Sequence, residues 1–506
     1  MSKGRAWLKR NTVFVVSISA GLPFVALGIL APETLDRVTA RIHEVIIDRF
    51  AWGYLVSALV FLVFPLVLAF GRYGDLKLGK DDEKPQYGYF GWFSMLFAAG
   101  MGIGLIFWGV AEPMSHFVNP PAHIEPASPE AAGFAMTYGF FHWGLHAWAI
   151  YVTMSLAIAY FSFRRGMPPL ISSCFFPLLG TRIHGAAGRL IDILAVFATV
   201  FGIATSLGLG ALQITSGLAE VTPLDGSTGL TLAIIGVSTV LFVLSSATGL
   251  DTGIQILSKT NIMIALALLA FLLVVGPTSY MLNVFTTTTG EYASSLLEMS
   301  LSTNPFEGYE WTKSWTIFYW AWWISWSPFV GLFVASISRG RTVREFVLGA
   351  LLAPTLLTFL WFSVFGGAAF HLQLEQGKDI AAGAAADVST ALFEVFAYYP
   401  FSGVLTVLAV FLLAVFFVTS ADSATYVLGM MTSNGNLAPP LGKKVAWGLY
   451  VAAAAAALIL SGGLAGLQRM AIAAALPFTV LMLFLCLSLA RALRYEYEIE
   501  RFGERR

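Results

Sequence analysis

Apolar residues in this chain come in long unbroken runs, with polar positions gathered between them. Twelve such runs cover residues 13–31, 51–71, 90–110, 133–161, 189–213, 229–248, 259–283, 315–336, 346–368, 402–431, 445–463 and 471–490. Each is long enough, as a helix, to cross ~30 Å of hydrocarbon. In lipid a single segment satisfies its own backbone only as a helix. The pattern therefore predicts an all-α membrane protein of twelve transmembrane helices. The first run follows Lys3, Arg5, Lys9 and Arg10 and has no small-residue cleavage site, so it reads as a retained span. The polar segments 72–88, 162–188 and 284–314 are long enough for short surface helices, and 286–303 has the spacing of an interfacial amphipathic helix.

Composition agrees. Of 506 residues, 57% are hydrophobic and 11% are charged, against about 25% charged in soluble domains. Mean hydropathy is +0.76. These values exclude a disordered chain and a secreted soluble enzyme. A net charge of zero removes any general argument for a nucleic-acid partner. Cys174 and Cys486 lie far apart and suggest neither a bridge nor a metal cluster. With alternating spans and the N-terminus inside, only Arg37, Arg41, Arg49, Lys313, Lys378 and Arg469 among the 29 basic residues fall outside. That bias places both termini in the cytoplasm of a cell (inner) membrane protein.

Four stretches carry chemistry. The third run holds Ala98-Ala99-Gly100-Met101-Gly102-Ile103-Gly104. Five small residues in seven weaken a helix and let bare backbone be approached closely. Interrupted spans of this kind bind substrate and ion in many transporters; plain helix packing is the alternative. The fourth run holds His142, Trp143, His146, Trp148 and Tyr151, and the eighth reads Trp320-Ala321-Trp322-Trp323-Ile324-Ser325-Trp326-Ser327-Pro328. Tryptophan normally forms belts at the membrane interface, but these rings run inward from the end of a span. Aromatic faces around a small volume make a box for a quaternary ammonium, each contact contributing ~0.5–2 kcal/mol. His142 and His146 have metal-ligand spacing, yet no acid or cysteine accompanies them in sequence, so they read as hydrogen-bonded packing residues. The tenth run ends Phe416-Phe417-Val418-Thr419-Ser420-Ala421-Asp422. Its adjacent hydroxyls suit Na⁺, with bonding back to their own helix as the alternative. Asp422 is a functional candidate as an acid within a span, whereas Glu112 and Asp192 lie near span ends, where a structural role is expected. No nucleotide-binding loop and no nucleophile–base set is present, so nothing suggests an enzyme or an ATP-driven pump.

The glycine run followed by Glu112-Pro113, the segment Phe141-His142-Trp143 to Tyr151, and Tyr319-Trp320 to Ser327-Pro328 resemble the betaine/carnitine/choline transporter family. The resemblance extends from about the third run to the tenth. It implies a LeuT-like core of two inverted five-helix repeats, 89–285 and 315–490, preceded by peripheral helices in 1–88, joined by an amphipathic connector at 286–314, and followed by a short basic tail at 491–506. It also implies a homotrimer. Carried over by position, it places the box at Trp143, Trp148, Tyr151 and Trp323, with Trp326 on the neighbouring path. The backbone of Ala99, Gly100, Met101 and Gly102 would face the substrate carboxylate. One Na⁺ would sit among Ala98, Met101, Phe416, Thr419 and Ser420, and a second at Thr199 and Phe329. The family's sodium-coupled pattern has a threonine four residues after Thr199; here that position is Ile203, leaving Thr205 or Ser206 as substitutes. Choline-preferring members tend to have Asp where this chain has Gly104, which favours a zwitterion. Sodium-independent exchangers place an Arg inside the core, and this chain has none at mid-membrane depth. The expectation is a Na⁺ symporter for a small quaternary ammonium zwitterion, glycine betaine foremost. An exchanger of carnitine-like compounds, or a symporter of choline, ectoine or dimethylsulfoniopropionate, is the alternative.

Overall fold

A computed structural model describes residues 11–248, 251–306 and 310–503; the side chains at 97–101, 247–248, 251–258 and 499–503 lie outside the description. Lys3, Arg5, Lys9, Arg10, Arg505 and Arg506, which entered the orientation argument, lie outside it too. Among the described residues the fold is all helical, with one isolated bridge between Lys77 and Thr342.

The long helices are α1 (Thr12–Leu30), α2 (Pro32–Phe70), α3 (Tyr89–Val118), α4 (Pro129–Trp143), α5 (Leu145–Ala159), α6 (Ala186–Val221) and α7 (Thr228–Thr248). They are followed by α8 (Asp251–Val275), α9 (Thr278–Leu301), α10 (Thr316–Ile337), α11 (Val343–Phe370), α12 (Ser402–Met431) and α13 (Leu441–Gly503). Among the described residues, nine helical segments are long and apolar enough to cross a membrane, or ten if one bent pair counts as a span. This is a multi-pass membrane protein.

Three features lie between this count and twelve: α3, whose side chains at 97–101 lie outside the description, the kink in α13, and the bent pair. Runs 445–463 and 471–490 fall on the two helical stretches of α13, which meet at Gly463, where φ is 54° and ψ is −134°. Only glycine takes that conformation without strain. Run 259–283 divides at Pro277, and the helix Thr278–Leu301 leaves the preceding one at 110°. That second helix contains most of the expected amphipathic stretch. Segment 72–88 is turns and extended chain in place of a short helix. It is tied to the start of α11 by Leu78 N–H to the Arg341 carbonyl and Gly340 N–H to the Leu78 carbonyl, both 2.8 Å. Buried Arg341 lies 3.9 Å from the Trp92 ring centre and pairs with Glu345.

The glycine run does not interrupt its helix, since α3 is continuous from Tyr89 to Val118. Its glycines serve close packing instead. A Cβ on Gly102 would come within 2.8 Å of the Phe416 ring, and one on Gly104 within 2.7 Å of Trp322 and 2.8 Å of Trp143. The break falls between α4 and α5 at Gly144, where ψ is −136°. A Cβ there would meet the Phe140 carbonyl at 2.5 Å and the Phe359 ring at 2.9 Å.

Two helix ends are built alike. A five-residue π-helical turn follows α5 (Tyr160–Arg164), and another follows α11 (His371–Glu375). Each is closed by an i to i−5 bond, Arg165 N–H to Tyr160 and Gln376 N–H to His371. Each then passes through a left-handed glycine, Gly166 at φ 65° and Gly377 at φ 64°.

Candidate substrate and ion site

The eighth apolar run becomes α10, buried on all sides, with Trp320, Trp322 and Trp323 at most 1% exposed. Helices α4 and α5 pack beside it, and the rings meet around Trp323. Its centre lies 4.9 Å from Trp143, 6.1 Å from Tyr151, 6.0 Å from Tyr319 and 4.6 Å from Trp322. Trp148 joins through Tyr151 at 5.9 Å. The four residues assigned to the box thus form one contiguous buried cluster. Trp326 stands apart, pairing with Phe329 at 5.7 Å.

Polar groups hold these rings. Trp323 Nε1–H donates to the His142 carbonyl at 2.9 Å, and Trp322 Nε1–H to Ser206 Oγ at 3.2 Å. In contrast, Trp148 Nε1, the Tyr151 hydroxyl and Trp326 Nε1 are buried and find no partner among the described residues. A buried donor without a partner costs roughly 1–3 kcal/mol. Donors lying beside an aromatic cluster are suited to a ligand that has both an onium head and an acceptor tail.

Glu112 is the residue that sequence reasoning underrated. Expected near a span end in a structural role, it is completely buried. It accepts hydrogen bonds from Trp143 Nε1 at 2.7 Å and from the Tyr319 hydroxyl at 2.6 Å. Ring nitrogens of His142 and His116 lie 2.6 and 3.2 Å from its other oxygen. His142 therefore does have an acid partner, contrary to expectation, because α3 brings one from 30 residues away. Glu112, His116 and His142 have ligand-type atoms all within 4.8 Å of one another, and these atoms are spent on each other. His146 turns elsewhere, to Ser300 Oγ at 3.1 Å. Glu112-Pro113 was the available signal, but its partners could not be read from one sequence.

The ion-site candidates are placed as follows. Phe416 of α12 packs on Gly102 of α3, bringing together the two helices expected to share the first Na⁺ site. Thr419 Oγ1 bonds back to the Val415 carbonyl at 2.9 Å, and Ser420 is half-buried. The side chains of Ala98, Ala99, Gly100 and Met101 lie outside the described ones. At the second site, Thr199 Oγ1 bonds back to Ala195 at 2.7 Å, and Phe329 sits with Trp326. Of the substitutes for the threonine missing at Ile203, Thr205 bonds to the Leu467 carbonyl at 3.1 Å. Ser206 faces α10 through Trp322. Beyond Phe329 lies a cavity of about 670 Å³ lined by Ser162, Ser245, Ser336, Arg339, Asp422 and Lys444, among others. Asp422 there accepts from Ser246 Oγ at 2.6 Å.

An all-helical multi-pass membrane protein with a buried aromatic cluster and a cavity of mixed polar and apolar lining has the build of a solute transporter. A family model described as BCCT, betaine/carnitine/choline family transporter, matches residues 12–498, and the chain belongs to that family. It is a transporter, not an enzyme. It is 49% identical to a glycine betaine transporter of Bacillus subtilis, over 96% of this chain and 95% of that protein. A probable glycine betaine transporter of Desulfitobacterium hafniense is 43% identical, over 97% of this chain and 98% of that protein. An ectoine/hydroxyectoine transporter of Virgibacillus pantothenticus is 44% identical, over 96% of both.

Proposed function

We propose that this protein imports a small quaternary ammonium zwitterion, glycine betaine foremost, by Na⁺ symport and alternating access. The observation that carries the reading is the convergence of Trp143, Trp148, Tyr151 and Trp323 in one buried cluster. A trimethylated nitrogen cannot donate a hydrogen bond and is bound through ring faces. The unpartnered Trp148 N–H and Tyr151 O–H are donors of the kind the carboxylate needs, and the backbone of 99–102 is the further candidate. Gly104, whose Cβ would enter the rings, keeps the box free of a competing side chain. The glycine betaine relatives at 43–49% identity support the substrate. The ectoine/hydroxyectoine relative at 44% makes that solute class the second reading.

Coupling through Na⁺ answers an energetic need. A zwitterion draws nothing from the membrane potential, whereas one accompanying Na⁺ gains ~2.3 kcal/mol per 100 mV, roughly 50-fold accumulation, and two give roughly 2,000-fold. The first ion would lie where α12 meets α3, at Ala98, Met101, Phe416, Thr419 and Ser420. The second would use Thr199 and Phe329, with Ser206 better placed than Thr205 to replace the missing threonine.

Twelve crossings follow if α13 counts twice about Gly463 and both α3 and the bent pair are added to the remaining helices. The matching π turns and left-handed glycines after α5 and α11 support two repeats at 89–285 and 315–490. We place the protein in the cell's inner membrane as a homotrimer with both termini cytoplasmic. Uptake of labelled glycine betaine and ectoine into proteoliposomes tests the substrate. Saturable uptake of ectoine with none of betaine would replace the first reading by the second.

A further inference from the structure

Glu112 is fully buried, and among the described residues its ion-pair partners are two histidines, with no lysine or arginine. Its bonds fill both oxygens: Trp143 Nε1–H and Tyr319 O–H on Oε2, His142 Nδ1 and His116 Nε2 on Oε1. Four contacts match an ionised carboxylate, which only accepts. His142 Nδ1 faces Glu112, and its Nε2 lies 2.9 Å from the Thr316 hydroxyl. The group is centred on the Glu112 carboxylate. It joins three helices, α3, α4 and α10, and does so through the residues that build the box. Trp143 is a wall of the box, Tyr319 packs against both Trp143 and Trp323, and the His142 carbonyl holds Trp323.

This geometry has an electronic consequence. An indole N–H that donates to a carboxylate sends electron density into its ring, and the ring face then attracts a cation more strongly. The anion lies at the edge of Trp143, against its indole N–H. A negative charge in a dry, low-dielectric setting also acts at longer range than it would in water.

We propose that Glu112 is the positioning residue that both aims and polarises the aromatic box, making it select a cationic head group over a neutral one of the same shape. The proposal rests on reading the box as the onium site. The probes are glycine betaine and 3,3-dimethylbutanoate, in which carbon replaces the trimethylated nitrogen. Binding of each is measured to purified wild-type protein, Glu112→Gln and Trp143→Phe. Gln preserves an acceptor for Trp143 and Tyr319, and its amide N–H groups bond the histidine nitrogens once those rings take the accepting tautomer, so the bonding persists while the charge is lost.

The expected result is that Glu112→Gln weakens betaine about tenfold and leaves the isostere with the uncharged head within about twofold, a differential in the range of one lost cation–π increment. Trp143→Phe, which severs the link between the anion and the ring, lowers the same selectivity. The double variant loses little more than either single one. A purely structural role would weaken both probes in parallel, and that result, or unchanged betaine binding, overturns the proposal while the transport reading stands. Wild-type protein that binds both probes equally overturns the onium box and this proposal together. If Glu112→Gln does not fold, the Trp143→Phe selectivity decides alone: an unchanged ratio overturns the proposal.

Discussion

The ring cluster and the cavity lined by Phe329 are built in opposite ways. In the first, Trp143, Tyr151, Tyr319, Trp322 and Trp323 are all at most 1% exposed, with neighbouring ring centres 4.6–6.4 Å apart. The second is a cavity of about 670 Å³ whose lining mixes hydroxyls, Asp422, Arg339 and Lys444 with apolar side chains such as Leu332, Phe333 and Met430. Close ring packing transmits any change of volume to its neighbours, whereas an open cavity absorbs such changes. Recognition is thus expected to reside in the first region and passage in the second. Substitutions should be costly among the rings and mild along the cavity.

The largest expected effect is at Trp323, the ring on which the cluster converges. Trp323→Ala should lower betaine uptake by more than about 100-fold, through loss of a shared face and of the order it imposes on Trp143 and Tyr151. Quantifying protein in the membrane alongside uptake checks that the loss is of binding and not of insertion. Gly104→Ala comes next. Its methyl would sit 2.7–2.8 Å from Trp322 and Trp143, and overpacking of ~1–3 kcal/mol corresponds to about a tenfold rise in KM. An unchanged KM would mean the rings give way more easily than their packing implies.

A third substitution tests the ion. Thr419→Ala with Ser420→Ala should raise the Na⁺ concentration for half-maximal uptake at least about fivefold, by loss of hard-oxygen ligands. An unchanged sodium curve would move the ion elsewhere. The smallest effect is expected in the cavity. Asp422→Asn keeps an acceptor for Ser246 and should alter betaine KM by no more than about twofold. A large loss there would erase the contrast between the two regions.

What a single sequence discloses follows the same division. The apolar runs set the helices, because lipid leaves the backbone no other solution. The ring cluster was legible too, since Trp143, Trp148 and Tyr151 lie within nine positions of one another on α4 and α5, and Trp323 sits in an unusually dense tryptophan motif. Glu112 was not legible. Apart from His116, four positions on, its partners are 30, 31 and 207 positions away, and nothing local marks those as neighbours. The glycine run was read for backbone freedom, yet its visible work is to admit Phe416, Trp143 and Trp322. The break that freedom led one to expect is at Gly144, a lone glycine in an aromatic helix. The runs 445–463 and 471–490, read as separate spans, meet at Gly463, whose left-handed backbone breaks the helical path between them.

The most direct measurement is uptake of radiolabelled glycine betaine into proteoliposomes, with and without an inward Na⁺ gradient. The account predicts accumulation above the external concentration only when the gradient is imposed, with a steep dependence on Na⁺ if the second ion is retained despite Ile203. Uptake indifferent to Na⁺ and dependent on preloaded internal substrate would contradict it and make the protein an exchanger.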